Sequence, residues 1–280
     1  MVSTTTIIMC TLSLLLCLVM PVVLIILFAK KNKGQKLISA WILGAAGFFV
    51  TQILIRVPIL SVLSTQPWFL TFSQNHTFAY AFTLAFTAGL FELAGRFVVA
   101  QLMKKNLTFK RSIAAGLGHG GIEAMLLVGS SYITNLVFIF MINTGSFNSL
   151  LSEAASAGVD PAQLNAIADS LINSSPALFL LGGYERILAM IAHLAMSLIV
   201  CYSVSISKPL PGALICLVIH TFIDLSAGIN MLAGTIITQN TAYLIIYTIL
   251  TAVAAVSLWI IRKIYGYWSN KEVSHESETA

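Results

Sequence analysis

The chain has 280 residues, of which 58% are hydrophobic and only 9% are charged. A soluble domain carries about 25% charged residues, so the composition excludes a water-soluble fold and calls for a polytopic membrane protein. The formal charge of +5 does not indicate nucleic-acid binding, because the basic residues are placed for another purpose, as their positions show. Long apolar runs, in place of short alternating segments, also exclude a transmembrane barrel.

Seven apolar stretches are long enough to cross a hydrocarbon core, near residues 3–29, 36–62, 76–103, 112–142, 176–204, 209–233 and 241–265. The expected fold is therefore all-α, a single helical domain over 1–268 followed by a polar, disordered cytoplasmic tail at 269–280. Lys30, Lys31, Lys33 and Lys36 occupy the first connection, Lys104, Lys105, Lys110 and Arg111 the third, and Lys208 the fifth. Arg262, Lys263 and Lys271 follow the last span, while the second, fourth and sixth connections carry no Lys or Arg. This alternation places the N-terminus outside and the C-terminus in the cytoplasm. Aromatic residues near the span ends, among them Trp41, Tyr202 and Trp268, match interfacial belts. The long outer loop at 143–175 contains Asp160-Pro161, a helix-start signal, followed by Leu164, Ile167 and Leu171 on one face. A short amphipathic surface helix is expected there. The four cysteines, Cys10, Cys17, Cys201 and Cys216, lie in apolar runs without metal-ligand spacing and are read as core residues.

The polar residues inside the bilayer are confined to spans three to six. Span three holds Glu92 and Arg96, span four His119 and Glu123, span five Glu185, Arg186 and His193, and span six His220 and Asp224. Residues four apart share a helix face, so three of these helices present paired groups. Around His119 and Glu123 runs a glycine-rich stretch, Gly116 to Gly121, in which Gly116 and Gly120 form a GxxxG contact surface for a neighbouring helix. Glu92, Glu123, His193 and His220 each lie about eleven positions from the cytoplasmic end of their span, roughly 16 Å deep. Arg96 and His119 form a second layer nearer the cytoplasm. Burying such groups in lipid is unfavourable unless they face protein or water. Two carboxylates and two imidazoles at one depth can bind a zinc-like metal, with a remaining carboxylate as general base. The same centre could relay protons or bind a cation in a transporter or proton-coupled channel, or serve a non-catalytic scaffold.

Taken in order, Glu92xxxArg96, His119-Gly-Gly-Ile-Glu123, His193 and His220xxxAsp224 resemble the YhfC-type membrane peptidases. These are related to the CAAX prenyl endopeptidase and bacteriocin-processing membrane proteases. The resemblance covers about 88–228. Phe91 stands where the wider group has a second glutamate, and His119xxxGlu123 replaces its usual FxxxH motif. The resemblance implies a four-helix catalytic core in a multi-pass protein of the bacterial plasma membrane. The implied activity is an intramembrane metalloendopeptidase cleaving a membrane-associated peptide or protein, with a divalent metal, zinc being the expected ion. In that scheme His193, His220 and Glu123 hold the metal, Glu92 is the general base, and Arg96 orients it or stabilises the oxyanion. His119, Asp224 and Glu185 are supporting or alternative ligands.

Overall fold

In the computed structural model seven helices are long and apolar enough to cross a membrane: Thr4–Lys31, Leu37–Leu63, Thr77–Leu102, Phe109–Thr144, Pro176–Ser205, Pro209–Leu232 and Gln239–Ser269. They are the first to seventh spans below, and they coincide with the seven apolar stretches of the sequence. The structure describes all residues except Val159, Thr235 and Ala280, and the side chains from Asn270 onward are also outside the described set. The tail expected to be disordered, 269–280, falls largely on those side chains. Among the described residues the fold is all-helical, with one isolated bridge between Ala233 and Ile237.

Contacts divide the chain into two compact units. The first joins Met1–Val23 to Ala124–Ile187. Its core is built from Val2, Cys10, Cys17, Tyr132, Ile139 and Leu171. The loop helix Ala162–Asn173 forms where the Asp160-Pro161 signal places it: Asp160 Oδ1 accepts the Ala162 N–H at 2.9 Å, and Leu171 is buried in that core. A second loop helix, Phe147–Ser156, precedes it. All four cysteines are buried and unpaired, as core residues should be.

The second unit joins Leu24–Glu123 to Leu188–Ala280. Its helices approach closely because glycine removes side chains from the contact. Seen from the fourth span, Gly116 faces Leu194 Cα, 3.1 Å from where a Cβ would sit, and Gly120 faces His193 Cβ at 2.9 Å. The GxxxG pair thus packs on the fifth span. Gly118, on the opposite side, leaves no room for a Cβ against the Trp41 carbonyl of the second span, and Gly44 is equally tight against Ala115. Residues Ala114 to Gly121 are all buried as a result. The second and third spans meet in the same way, through Gly47 and Gly95.

Two spans carry π-helical segments. The second widens to a π-helix over Phe49–Arg56, and the fourth does so over Ala124–Gly129, directly after Glu123. Wide turns of this kind are rare and tend to occur at functional sites. They change which side chains a helix turns towards its neighbours.

Candidate active site

Glu92 is the hub. It lies on the third span, buried to 4% exposure, and four residues from four other positions reach its carboxylate. Arg96 Nη2, one turn along the same helix, donates to Oε2 at 3.1 Å. His119 Nε2 from the fourth span lies 3.0 Å from that oxygen, and His220 Nε2 from the sixth span lies 2.7 Å from it. Gln52 Nε2 from the second span donates to the other oxygen, Oε1, at 2.9 Å and to the Ala88 carbonyl at 3.2 Å. His193 Nδ1 from the fifth span stands 3.8 Å from Oε2. Five helices therefore converge on one carboxylate.

Each histidine is oriented by a further neighbour. Arg96 Nη2 is 2.6 Å from His193 Nδ1. A guanidinium can only donate, so Nδ1 accepts and the ring carries its proton on Nε2. That nitrogen lies 2.8 Å from Glu123 Oε2. His220 Nδ1 lies 3.3 Å from Asp224 Oδ2, four residues along its own helix. A carboxylate behind an imidazole fixes its tautomer and raises its basicity as a ligand. His119 is held edge-on by Phe48, with ring centroids 5.3 Å apart. It also stacks on His193 at 5.6 Å, and His193 meets His220 edge-on at 5.9 Å.

The sequence-derived set is thus brought together in one place, with one exception. Glu92, Arg96, His119, Glu123, His193, His220 and Asp224 form a continuous network in the second unit. Glu185 belongs to the first unit, where its carboxylate pairs with Arg186. The supposed cytoplasmic layer of Arg96 and His119 is not a separate layer, since both touch Glu92 directly. Gln52 is the residue that the sequence did not disclose. It is neutral, and the search was for ionisable groups. The available signal was a glutamine amid apolar neighbours four positions before Arg56, which in the structure donates to Gln52 Oε1 at 3.3 Å and to the Leu84 carbonyl at 2.7 Å.

The donor set suits a divalent cation. Ligand atoms of Glu92, His119 and His193 all lie within 4.8 Å of one another, and all three residues are buried. Nitrogen and oxygen ligands sit about 2 Å from a tetrahedral zinc-like ion, which sets them roughly 3.3 Å apart. The distances from Glu92 Oε2 to the His220, His119 and His193 nitrogens, 2.7, 3.0 and 3.8 Å, straddle that spacing. Arg96 Nη2 already places positive charge between Glu92 Oε2 and His193 Nδ1. Its Nε and Nη1 are buried without a hydrogen-bond partner. A guanidinium with unused donors is an imperfect counterion for this many ligand atoms.

The sequence model of a family described as YhfC intramembrane metalloprotease matches residues 16–247. The chain is 30% identical over 267 residues to a Bacillus subtilis (strain 168) protein named "Uncharacterized membrane protein YhfC". That alignment covers 94% of this chain and 98% of the relative. No solved structure matches.

Proposed function

Because the chain belongs to the YhfC intramembrane metalloprotease family, we propose that it is a metal-dependent intramembrane peptidase acting on a membrane-associated peptide or protein. The observation that carries this reading is the buried Glu92–His119–His193 cluster, three ligand-bearing residues from three helices within ligating distance of one another. The proposed ion is zinc, for which imidazole and carboxylate donors are the usual non-thiolate ligands.

The geometry favours a redistribution of roles within the residue set read from the sequence. Glu92, His119 and His193 would hold the metal, and His220, whose Nε2 lies 2.7 Å from Glu92 Oε2, would orient that carboxylate. When bound, the metal would acidify a water molecule and polarise the scissile carbonyl. Glu123 takes the part of general base: its side chain is 13% exposed against 5% for Glu92, and it contacts the cluster through His193. A base must receive a proton from water and release it to the leaving amine. The less buried carboxylate can do so more freely than one that three imidazoles and a guanidinium surround. Arg96 holds Glu92 in register and would release His193 Nδ1, whose one lone pair the metal needs, while its unused Nε and Nη1 donors suit a developing oxyanion. Gln52 and Asp224 hold Glu92 and His220 in place.

The test is metal analysis of purified protein, followed by turnover of a membrane-peptide library. Wild type is expected to carry stoichiometric metal, and His119→Ala/His193→Ala to lose it along with activity. Glu123→Gln should keep the metal and lose turnover. Metal retained in the double variant, or ion flux in proteoliposomes with no cleavage, would remove the peptidase reading. We also infer an outside N-terminus and a cytoplasmic C-terminus. Cysteine labelling at Ser64, Ser156 and Gln239 should report outside, and at Asn32 and Ser274 inside.

A further inference from the structure

A second polar site lies in the same unit and shares no residue with the carboxylate–histidine cluster. It is a pocket of about 730 Å³ at the end of the helices that carries the basic connections. Its cationic lining comes from two connections distant in sequence: Lys36 from the first, and Lys104, Lys105, Lys110 and Arg111 from the third. Among the described residues, no Asp or Glu lines it. The fourth span begins at this wall, with Thr108 Oγ1 accepting the Arg111 N–H at 3.2 Å.

The basic residues are held as a shaped wall, not strewn along a loop. Arg111 Nη1 donates to the Lys36 carbonyl at 3.3 Å, tying the two connections together, while Arg111 Nε is buried with no partner. Lys104 lies in a single 3-10 turn with Lys105. Phe109 meets Tyr265 edge-on at 5.1 Å and Trp268 at 6.3 Å, giving the pocket an aromatic side. Trp268 is buried to 3% exposure, whereas Tyr265 is 56% exposed. Concentrated positive charge beside interfacial aromatic rings, at the end of a transmembrane bundle, is the chemistry that receives phosphate from a lipid headgroup.

We propose that this pocket binds a phosphate group, supplied by an anionic phospholipid headgroup or by free phosphate, as a site separate from the carboxylate–histidine centre. Topological charge bias alone would also place lysines at this end. The two explanations differ in where the lysines matter. The pocket variant is Lys104→Gln/Lys105→Gln/Lys110→Gln. Its control is Lys30→Gln/Lys31→Gln/Lys33→Gln, which removes the same charge from exposed positions that do not line the pocket.

Each protein is purified in detergent and titrated with phosphatidylglycerol against phosphatidylcholine, with bound lipid counted by native mass spectrometry. Inorganic phosphate is titrated in parallel, read by thermal stabilisation. At about 1 kcal/mol per lysine near an anionic headgroup, the pocket variant should lose anionic-lipid affinity about a hundredfold, and the control less than about threefold. Phosphatidylglycerol retention dependent on the pocket assigns the phosphate to lipid. Stabilisation by inorganic phosphate alone, lost in the pocket variant, assigns it to a free anion. Equal losses in the two variants, or no loss in either, would overturn the site and leave only diffuse charge. Far-ultraviolet circular dichroism and metal content, unchanged in both variants, keep a folding failure from passing as lost binding.

Discussion

The two units handle buried polar groups in opposite ways. In the first, Ser13 Oγ and Tyr132 hydroxyl both donate to the Phe179 carbonyl, at 2.7 and 2.5 Å, and the Glu185 carboxylate pairs with the Arg186 beside it. The Phe179 contacts are neutral, and the charged pair is made by chain neighbours. In the second, one carboxylate oxygen serves Arg96, His119 and His220 at once, with His193 standing close behind. Two guanidinium nitrogens there have no partner. The first arrangement closes a core. The second gathers more charge and ligand capacity than folding requires, from helices that must be held together for the purpose. Buried charge retained at that expense of stability marks a functional centre in a membrane.

The comparison breaks most directly at Glu92. Glu92→Ala leaves Arg96 buried without its carboxylate and should destabilise the protein by about 3–5 kcal/mol, read as a fall in the thermal midpoint in detergent. A midpoint within a degree of wild type would show that the hub does not organise the second unit. Metal affinity comes next. Gln52→Leu removes the group that holds Glu92 Oε1 without touching any imidazole, and should weaken metal binding about 10- to 100-fold, measured by competition with a chelating dye.

Packing around the site should respond less. Gly118→Ala drives a methyl group against the Trp41 carbonyl and should be destabilising by about 1–3 kcal/mol, with chemical denaturation as the readout. An unchanged midpoint would mean that the second and fourth spans can separate without loss. Smaller effects are expected in the first unit. Tyr132→Phe deletes one hydrogen bond to Phe179, a loss of about 1 kcal/mol, and should leave metal content at the wild-type level. Glu185→Gln should leave metal content at the wild-type level, since its carboxylate pairs with Arg186 in the first unit. Metal lost from Glu185→Gln would erase the distinction between the units.

Much of this was legible in the residues. Apolar length defined the seven spans, because the bilayer thickness fixes how many residues a helix needs. Rare ionisable side chains in apolar runs are conspicuous, so Glu92, Arg96, His119, Glu123, His193, His220 and Asp224 could be named one by one. Four-residue spacing also foretold the Glu92–Arg96 and His220–Asp224 contacts, since a single helix makes them. The GxxxG surface of Gly116 and Gly120 was legible for the same reason, though not that His193 would be its neighbour.

What tertiary structure decided was who meets whom. Nothing in the spacing within one helix specifies which face of another it will meet, so the sharing of one Glu92 oxygen among three spans had no local signature. Assigning Glu92 as base and Glu123 as ligand came from motif order; their unequal burial and partners emerge only when the helices are packed. Gln52 escaped notice because a neutral amide in a span has no charge to betray it, and because the π-helical turn at Phe49–Arg56 departs from the 3.6-residue period by which faces are read. The sequence determined which groups would enter the membrane, through the free energy of burying each one. The fold determined their chemistry, because ligation and hydrogen bonding depend on distances of a few ångströms between helices.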